Sequence, residues 1–148
     1  MSEDNMFTWF HVDDDPDDIN IYKLMIAEAA PMVTLHTFTS SIALIRSLNR
    51  LEQIPRLILI DLNMPVMDGL TCLRHVQILP HIKDFTRLVI LSTSSDKEMI
   101  DKCHQAGAHF YAVKPSNPKE IRALVLKFQE IAKLNAKWPI SKKLFLIN

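Results

Sequence analysis

The sequence predicts an α/β fold, a five-stranded parallel sheet with helices on both faces. Two observations predict it. Short apolar runs alternate five times with longer segments of helical period, and that alternation is the mark of β-then-α units around a parallel sheet. The chain is 148 residues long, which suits one domain large enough to bury a real core.

The elements follow in order. Phe7–Val12 reads as the first strand, and residues 17–30 as a helix whose acidic start suits the positive end of the helix dipole. Val33–Phe38 is the second strand and 41–51 the second helix. Leu57–Ile60 is the third strand, followed by a turn at Asp68–Gly69 and a helix over 70–79. Gly69 stands where a turn must open without a Cβ. Leu88–Leu91 is the fourth strand. Ser95 with Glu98 forms a capping-box pattern that opens a helix over 96–106, and Gly107 follows it where a left-handed residue is wanted. Phe110–Val113 is the fifth strand. Asn117 with Glu120 is a second capping box, and Pro118 suits the first helical position of a helix over 118–134. Ile121, Leu124, Val125, Phe128, Ile131 and Ala132 give that helix one apolar face.

Composition narrows the function. Hydrophobic residues make up 48% and charged residues 23%, an ordinary soluble profile, and the net charge of zero offers no basic footprint for nucleic acid. Residues 1–18 nevertheless carry seven acids and no Lys or Arg, whereas 133–148 carry Lys133, Lys137, Lys142 and Lys143 and no acid. Cys72 and Cys103 match no metal or redox spacing and read as reduced core thiols. The N-terminus lacks the pattern of a signal peptide, and no stretch reaches the ~20 apolar residues of a membrane span. A cytoplasmic location is expected.

In open parallel α/β sheets, sites form at the carboxyl ends of the strands. The first strand delivers Asp13, Asp14 and Asp15 there, and the third delivers Asp61. The fourth delivers Ser92 and Thr93, and the fifth Lys114. Each has a bland reading taken singly, as helix start, turn, cap or loop. Four such groups on one edge are harder to assign to coincidence. Carboxylates a few Å apart stay ionised only beside a cation, and oxygen donors suit Mg²⁺ or Mn²⁺. An EF-hand is excluded by spacing from Asp13, because Asp18 stands where Gly is needed and Leu24 where Glu is needed. HExxH, Walker A and GxGxxG motifs are absent. Acids, a divalent ion, a hydroxyl and a lysine are the parts for handling a phosphoryl group, with Asp61 as a candidate nucleophile.

With "LILIDLNMPVMDGL", "VILSTSS" and "AGAHFYAVKP" behind the acidic cluster, the chain resembles the receiver domain of two-component response regulators. The match runs over residues 6–133, with an N-terminal tail at 1–5 and an extension at 134–148. The resemblance implies a flavodoxin-like strand order, 2-1-3-4-5. It implies that Asp61 accepts a phosphoryl group from a histidine kinase or histidine phosphotransfer protein. It further implies that Asp14, Asp13, Asp61 and the backbone carbonyl of Asn63 hold Mg²⁺ (or Mn²⁺), and that Lys114 pairs with a phosphoryl oxygen. Ser92 and Tyr111 resemble the switch pair, with Tyr111 turning inward on phosphorylation. Three successive aspartates leave open whether Asp13–Asp14 or Asp14–Asp15 is the metal pair.

Too few residues remain after Ala132 for an effector domain, so a stand-alone receiver acting through an unknown downstream protein target is expected. Such a domain is no enzyme beyond its own phosphorylation and dephosphorylation. The alternatives are a Mg²⁺-dependent phosphohydrolase, against which DxDGT is missing, and a binding module independent of phosphorylation. The apolar segment KWPISKKLFLIN either folds back on its own domain or docks on a second copy as a homodimer arm.

Overall fold

The computed structural model describes residues 3–50, 53–134 and 145–148. A 3₁₀ turn at Glu3–Phe7 leads into five strands: β1 (Thr8–Val12), β2 (Thr34–Phe38), β3 (Leu57–Asp61), β4 (Arg87–Ser92) and β5 (Phe110–Val113). The helices are α1 (Pro16–Ala29), α2 (Ser41–Asn49), α3 (Gly69–Val76), α4 (Pro80–Lys83), α5 (Lys97–Gln105) and α6 (Pro118–Lys133). The sheet order is β2-β1-β3-β4-β5, and every pairing is parallel, as expected.

Alternate residues of each strand face opposite layers. Trp9, Leu57, Leu59, Val89, Leu91 and Ala112 pack with Tyr22, Ile26 of α1 and Leu124, Phe128 of α6. Phe10, Val12, Ile58, Ile60, Ile90 and Tyr111 pack against α2, α3 and Cys103 of α5 on the other side. Cys72 and Cys103 are free thiols buried in that second layer, and burial pushes both upward in pKa, Cys103 to about 11. β1, β3 and β4 are buried along their whole length, because both of their faces are covered, and this explains the apolar runs at their centres. β2 is an edge and partly exposed. β5 is the other edge, yet Phe110, Tyr111 and Ala112 are buried. Residues 145–148 cover it.

Helix boundaries shift by one to three residues from expectation, α2 ending at Asn49 rather than 51, and two of the departures have a visible local cause. The third helix stops at Val76 rather than residue 79, and a separate short helix begins at Pro80. The ring of Pro80 forces Leu79 into extended backbone (ψ 123°), which a continuous helix cannot accommodate. The start of α5 is also different. Asp96, not Ser95, is its N-cap, without a side-chain cap bond, while Ser94 Oγ accepts from Asp96 N. At α6 the Asn117 cap forms as expected, accepting from Glu120 N at 2.9 Å.

The amino-terminal edge of the sheet is tied to the end of α6 by two buried arginines. Arg56 donates to the carbonyls of Ala132 (2.6 Å), Leu134 (2.7 Å) and Phe85 (2.7 Å), and Arg87 donates to Leu134 O at 2.6 Å. The last carbonyls of a helix lack intrahelical donors and carry partial negative charge, so cations satisfy them twice over. Beside them the buried His109 Nδ1 accepts from Leu88 N at 2.7 Å, and burial holds its pKa down near 2.

Candidate functional site

The opposite, carboxyl edge gathers the polar residues. Asp13 is fully buried. Its backbone N–H donates to Phe38 O and its Oδ1 accepts from Asp15 N at 2.9 Å, so the turn after β1 is fixed. Asp15 is occupied elsewhere, as the N-cap of α1, accepting from Asp17 N. Asp14 is exposed, and one carboxylate oxygen each from Asp13, Asp14 and Asp61 lie within 4.8 Å of one another. Oxygen donors this close and this negative fit a hard divalent cation.

Lys114 bridges the acids from the β5 side. Its Nζ lies 3.1 Å from Asp13 Oδ2, 3.0 Å from Asp61 Oδ1 and 2.8 Å from Asp18 Oδ2. Asp18, in the first turn of α1, is legible in the sequence only as a dipole-favoured acid. Its spacing of one helical turn from the N-cap Asp15 was the available signal. Burial raises the Asp61 carboxyl to about 6, with Lys114 opposing and Asp13 and Asp14 adding to the rise. Burial likewise raises Asp13. For Lys114, burial works against the charge, but the bond to Asp18 and the carboxylates of Asp61 and Asp13 outweigh it and raise the pKa.

The β3–α3 loop is built around close approach. Gly69 N donates to Leu62 O at 2.9 Å, and a Cβ on Gly69 would sit 2.6 Å from Leu62 Cα, so only glycine lets α3 start against the end of β3. Asp68 caps α3 through Thr71 N, and Ser41 Oγ donates to Met67 O across from α2. Asn63 and Val66 are exposed on this loop. Val66 adopts φ +67°, a left-handed conformation that a β-branched residue rarely takes.

Ser92 is buried at the end of β4, its Oγ accepting from Ser94 N at 3.1 Å, and its carbonyl accepts from Lys114 N at 2.7 Å. The Tyr111 hydroxyl donates to Ser94 O at 2.7 Å, and the ring is fully buried. The Tyr111 ring therefore faces inward here, with Phe145 packed over it at 6.3 Å. His11 of β1 is packed inside the fold. It is fully buried, 3.7 Å from Asp13 and edge-on to Tyr22, and burial, aided by Lys114, holds it near pKa 4.

A family profile described as Response regulator receiver domain matches residues 10–126. A Bacillus subtilis (strain 168) protein named uncharacterized transcriptional regulatory protein YhcZ is 37% identical over 71 residues, 47% of this chain and 31% of that one. Two-component response regulator ORR1 of Oryza sativa subsp. japonica is 27% identical over 120 residues, 76% of this chain and 51% of that one. The chain thus spans about half or less of the length of these two relatives. The crystal structure of the phosphorylated cyanobacterial phytochrome response regulator RcpA superposes with a TM-score of 0.78 at 25% identity, covering 90% of this chain and 98% of that one. The 2-1-3-4-5 parallel sheet is the flavodoxin-like order, the fold of the receiver class to which that response regulator belongs. The chain belongs to the response regulator receiver domain family of two-component systems.

Proposed function

We propose that Asp61 accepts a phosphoryl group from a phosphohistidine on a histidine kinase or phosphotransfer protein, and that the protein signals through a change of surface. The observation that carries this reading is the bridge from Lys114 to Asp61 and Asp13 beside the three-carboxylate cluster. Asp61 ends an apolar strand with its nearly covered carboxylate facing Lys114 and the other two acids. One of its oxygens attacks phosphorus as the P–N bond breaks, and the electron pair returns to the donor imidazole. Lys114 is placed to meet a phosphoryl oxygen and to offset the charge of Asp13. Asp13, Asp14, Asp61 and the Asn63 carbonyl would hold Mg²⁺ or Mn²⁺, which when bound neutralises the acids and the phosphoryl oxygens. The capping bond on Asp15 Oδ1 and the inclusion of Asp13 in the three-carboxylate cluster favour Asp13–Asp14 over Asp14–Asp15 as the metal pair. Ser92 is one residue beyond the β3–β4 pairing of Asp61 with Leu91, in reach of the group added to Asp61.

The downstream target is a protein. Among the described residues no helix is long and apolar enough to cross a membrane. The homodimer expectation rested on residues 137–148 as an arm. Of these, 145–148 dock on their own domain, and 137–144 lie outside the described residues.

Incubation with acetyl phosphate and Mg²⁺, followed by intact mass measurement, tests the reading. One phosphoryl group per chain, absent from Asp61→Asn and abolished by chelation, is expected. Continuous release of phosphate without a phosphorylated chain would favour a phosphohydrolase, and no reaction would favour a phosphorylation-independent binding module.

A further inference from the structure

The switch aromatic Tyr111 lies on β5, an edge strand, and something other than a sixth strand covers that edge. Residues 145–148 run alongside it. Leu146 forms a parallel bridge with Tyr111, and Ile147 N donates to Tyr111 O at 3.1 Å. The side-chain amide of Asn148 then takes the place of a further ladder residue. Its Oδ1 accepts from Val113 N at 2.9 Å, and its Nδ2 donates to Val113 O at 2.6 Å. Lys127 of α6 holds the segment from the other side, donating to Ile147 O at 2.7 Å.

The side chains straddle the sheet. Ile147 packs on the layer formed by α1 and α6, whereas Phe145 enters the opposite layer with Tyr111 and Cys103. Phe145 is 1% exposed, with its ring edge-on to His104 of α5 at 4.8 Å and 6.3 Å from the Tyr111 ring. A ring on an edge strand leaves the core through the gap between that strand and the nearest helix. Phe145 fills this gap. An outward-turned Tyr111 and a docked Phe145 would need the same space.

We propose that residues 145–148 are an intramolecular clamp on the β5 edge that holds Tyr111 in its inward position. The clamp rests on the reading of Tyr111 as the switch aromatic. It acts before any phosphoryl group arrives, so it removes part of the switching that phosphorylation would otherwise have to drive. By the reciprocity of linked equilibria, a segment that favours the inward ring also favours whatever event at Asp61 favours that ring. An extended segment from another protein could pair with β5 only after this one leaves.

The test uses the full chain with 3-fluorotyrosine at its two tyrosines, and Tyr22→Phe assigns the signals. Amide hydrogen exchange and fluorine NMR are read on the parent, Phe145→Ala and Asn148→Ala chains. The Ile147 and Val113 amides should exchange about tenfold or more slowly than a free peptide in the parent. In Phe145→Ala both should lose that protection, and the Tyr111 fluorine should gain the solvent isotope shift of an exposed ring. The Leu59 amide in β3 should stay protected, reporting an intact fold. Asn148→Ala should release the Val113 amide while leaving the ring buried. Free-peptide exchange of Ile147 in the parent would overturn the clamp. So would an unchanged Tyr111 signal in Phe145→Ala despite release of Ile147. If Leu59 protection is lost in that variant, Phe145→Leu is read by the same criteria. No phosphoryl donor enters these measurements, so their failure is distinct from failure of the phosphoacceptor reading.

Discussion

Asp61→Asn should make the metal-free protein more stable at neutral pH. The Asp61 carboxylate is almost wholly covered, and burial lifts its pKa from 3.8 to about 6. In that window the folded chain binds a proton that the unfolded chain has already released. The resulting stability is present below about pH 4, and it is lost as pH rises through about 6. Two pH units correspond to about 3 kcal/mol, a ceiling that already includes the attraction of Lys114. Asparagine has the shape of the protonated acid and never ionises. The variant should therefore gain about 2–3 kcal/mol at pH 7, or about 5–10 °C in Tm for a domain of this size. Urea unfolding of both proteins in chelator, at fixed ionic strength from pH 4 to 8, measures the difference. His11 and His109 are held low, so their contributions rise with pH in the same range, but they are common to both proteins and cancel in the difference. A gain that appears between pH 4 and 6 and is flat above would support the account. A variant less stable than the parent at pH 7, or a gain equal at pH 4 and 7, would refute it.

Lys114→Ala should slow phosphorylation by about tenfold to a hundredfold, because it removes a positioned cation, whereas Lys119→Ala, exposed in the first turn of α6, should leave the rate unchanged. Phosphotransfer time courses decide this. Asp14→Ala should weaken Mg²⁺ binding, followed through the fluorescence of Trp9 in β1. Asp15→Ala should instead cost about 1 kcal/mol of stability through the lost α1 cap, with metal affinity retained. Equal loss of affinity in both would mean that the metal pair is Asp14–Asp15. Val66→Gly should raise stability by up to about 1 kcal/mol by relieving the left-handed backbone, and a chemical melt showing a loss would contradict the strain.

Layering and the carboxyl-edge residues were legible because each rests on short-range pattern: apolar runs, helical period and the residues directly after each strand. Strand order is a long-range property, and it came from the family resemblance alone. The ends of elements were less so. Pro80 was visible, but whether it ended one helix or began another depended on how Ile82 packs into the second layer. What sequence could not show was pairing at long separation. Arg56 read only as the residue before an apolar run, although it holds carbonyls 76 and 78 residues away. Asp18 looked like a helix-start acid until β5 placed Lys114 beside it. The apolar character of residues 145–148 announced burial, yet nothing in their order announced Tyr111 as the neighbour.

The arginine ties at the amino-terminal edge have a mechanical consequence. Arg56 and Arg87 anchor the roots of β3 and β4 to the far end of α6 through charge-assisted bonds, and His109 locks the root of β5 to β4. The opposite tips of the same strands carry Asp61, Ser92 and Lys114 and end in loops. The sheet is thus built like a set of springs gripped at one end. A push at Asp61 cannot be dissipated by sliding whole strands. A change at Asp61 would be taken up at the carboxyl tips, where β3 pairs with β4 at Asp61–Leu91 and β4 with β5 at Ser92–Val113.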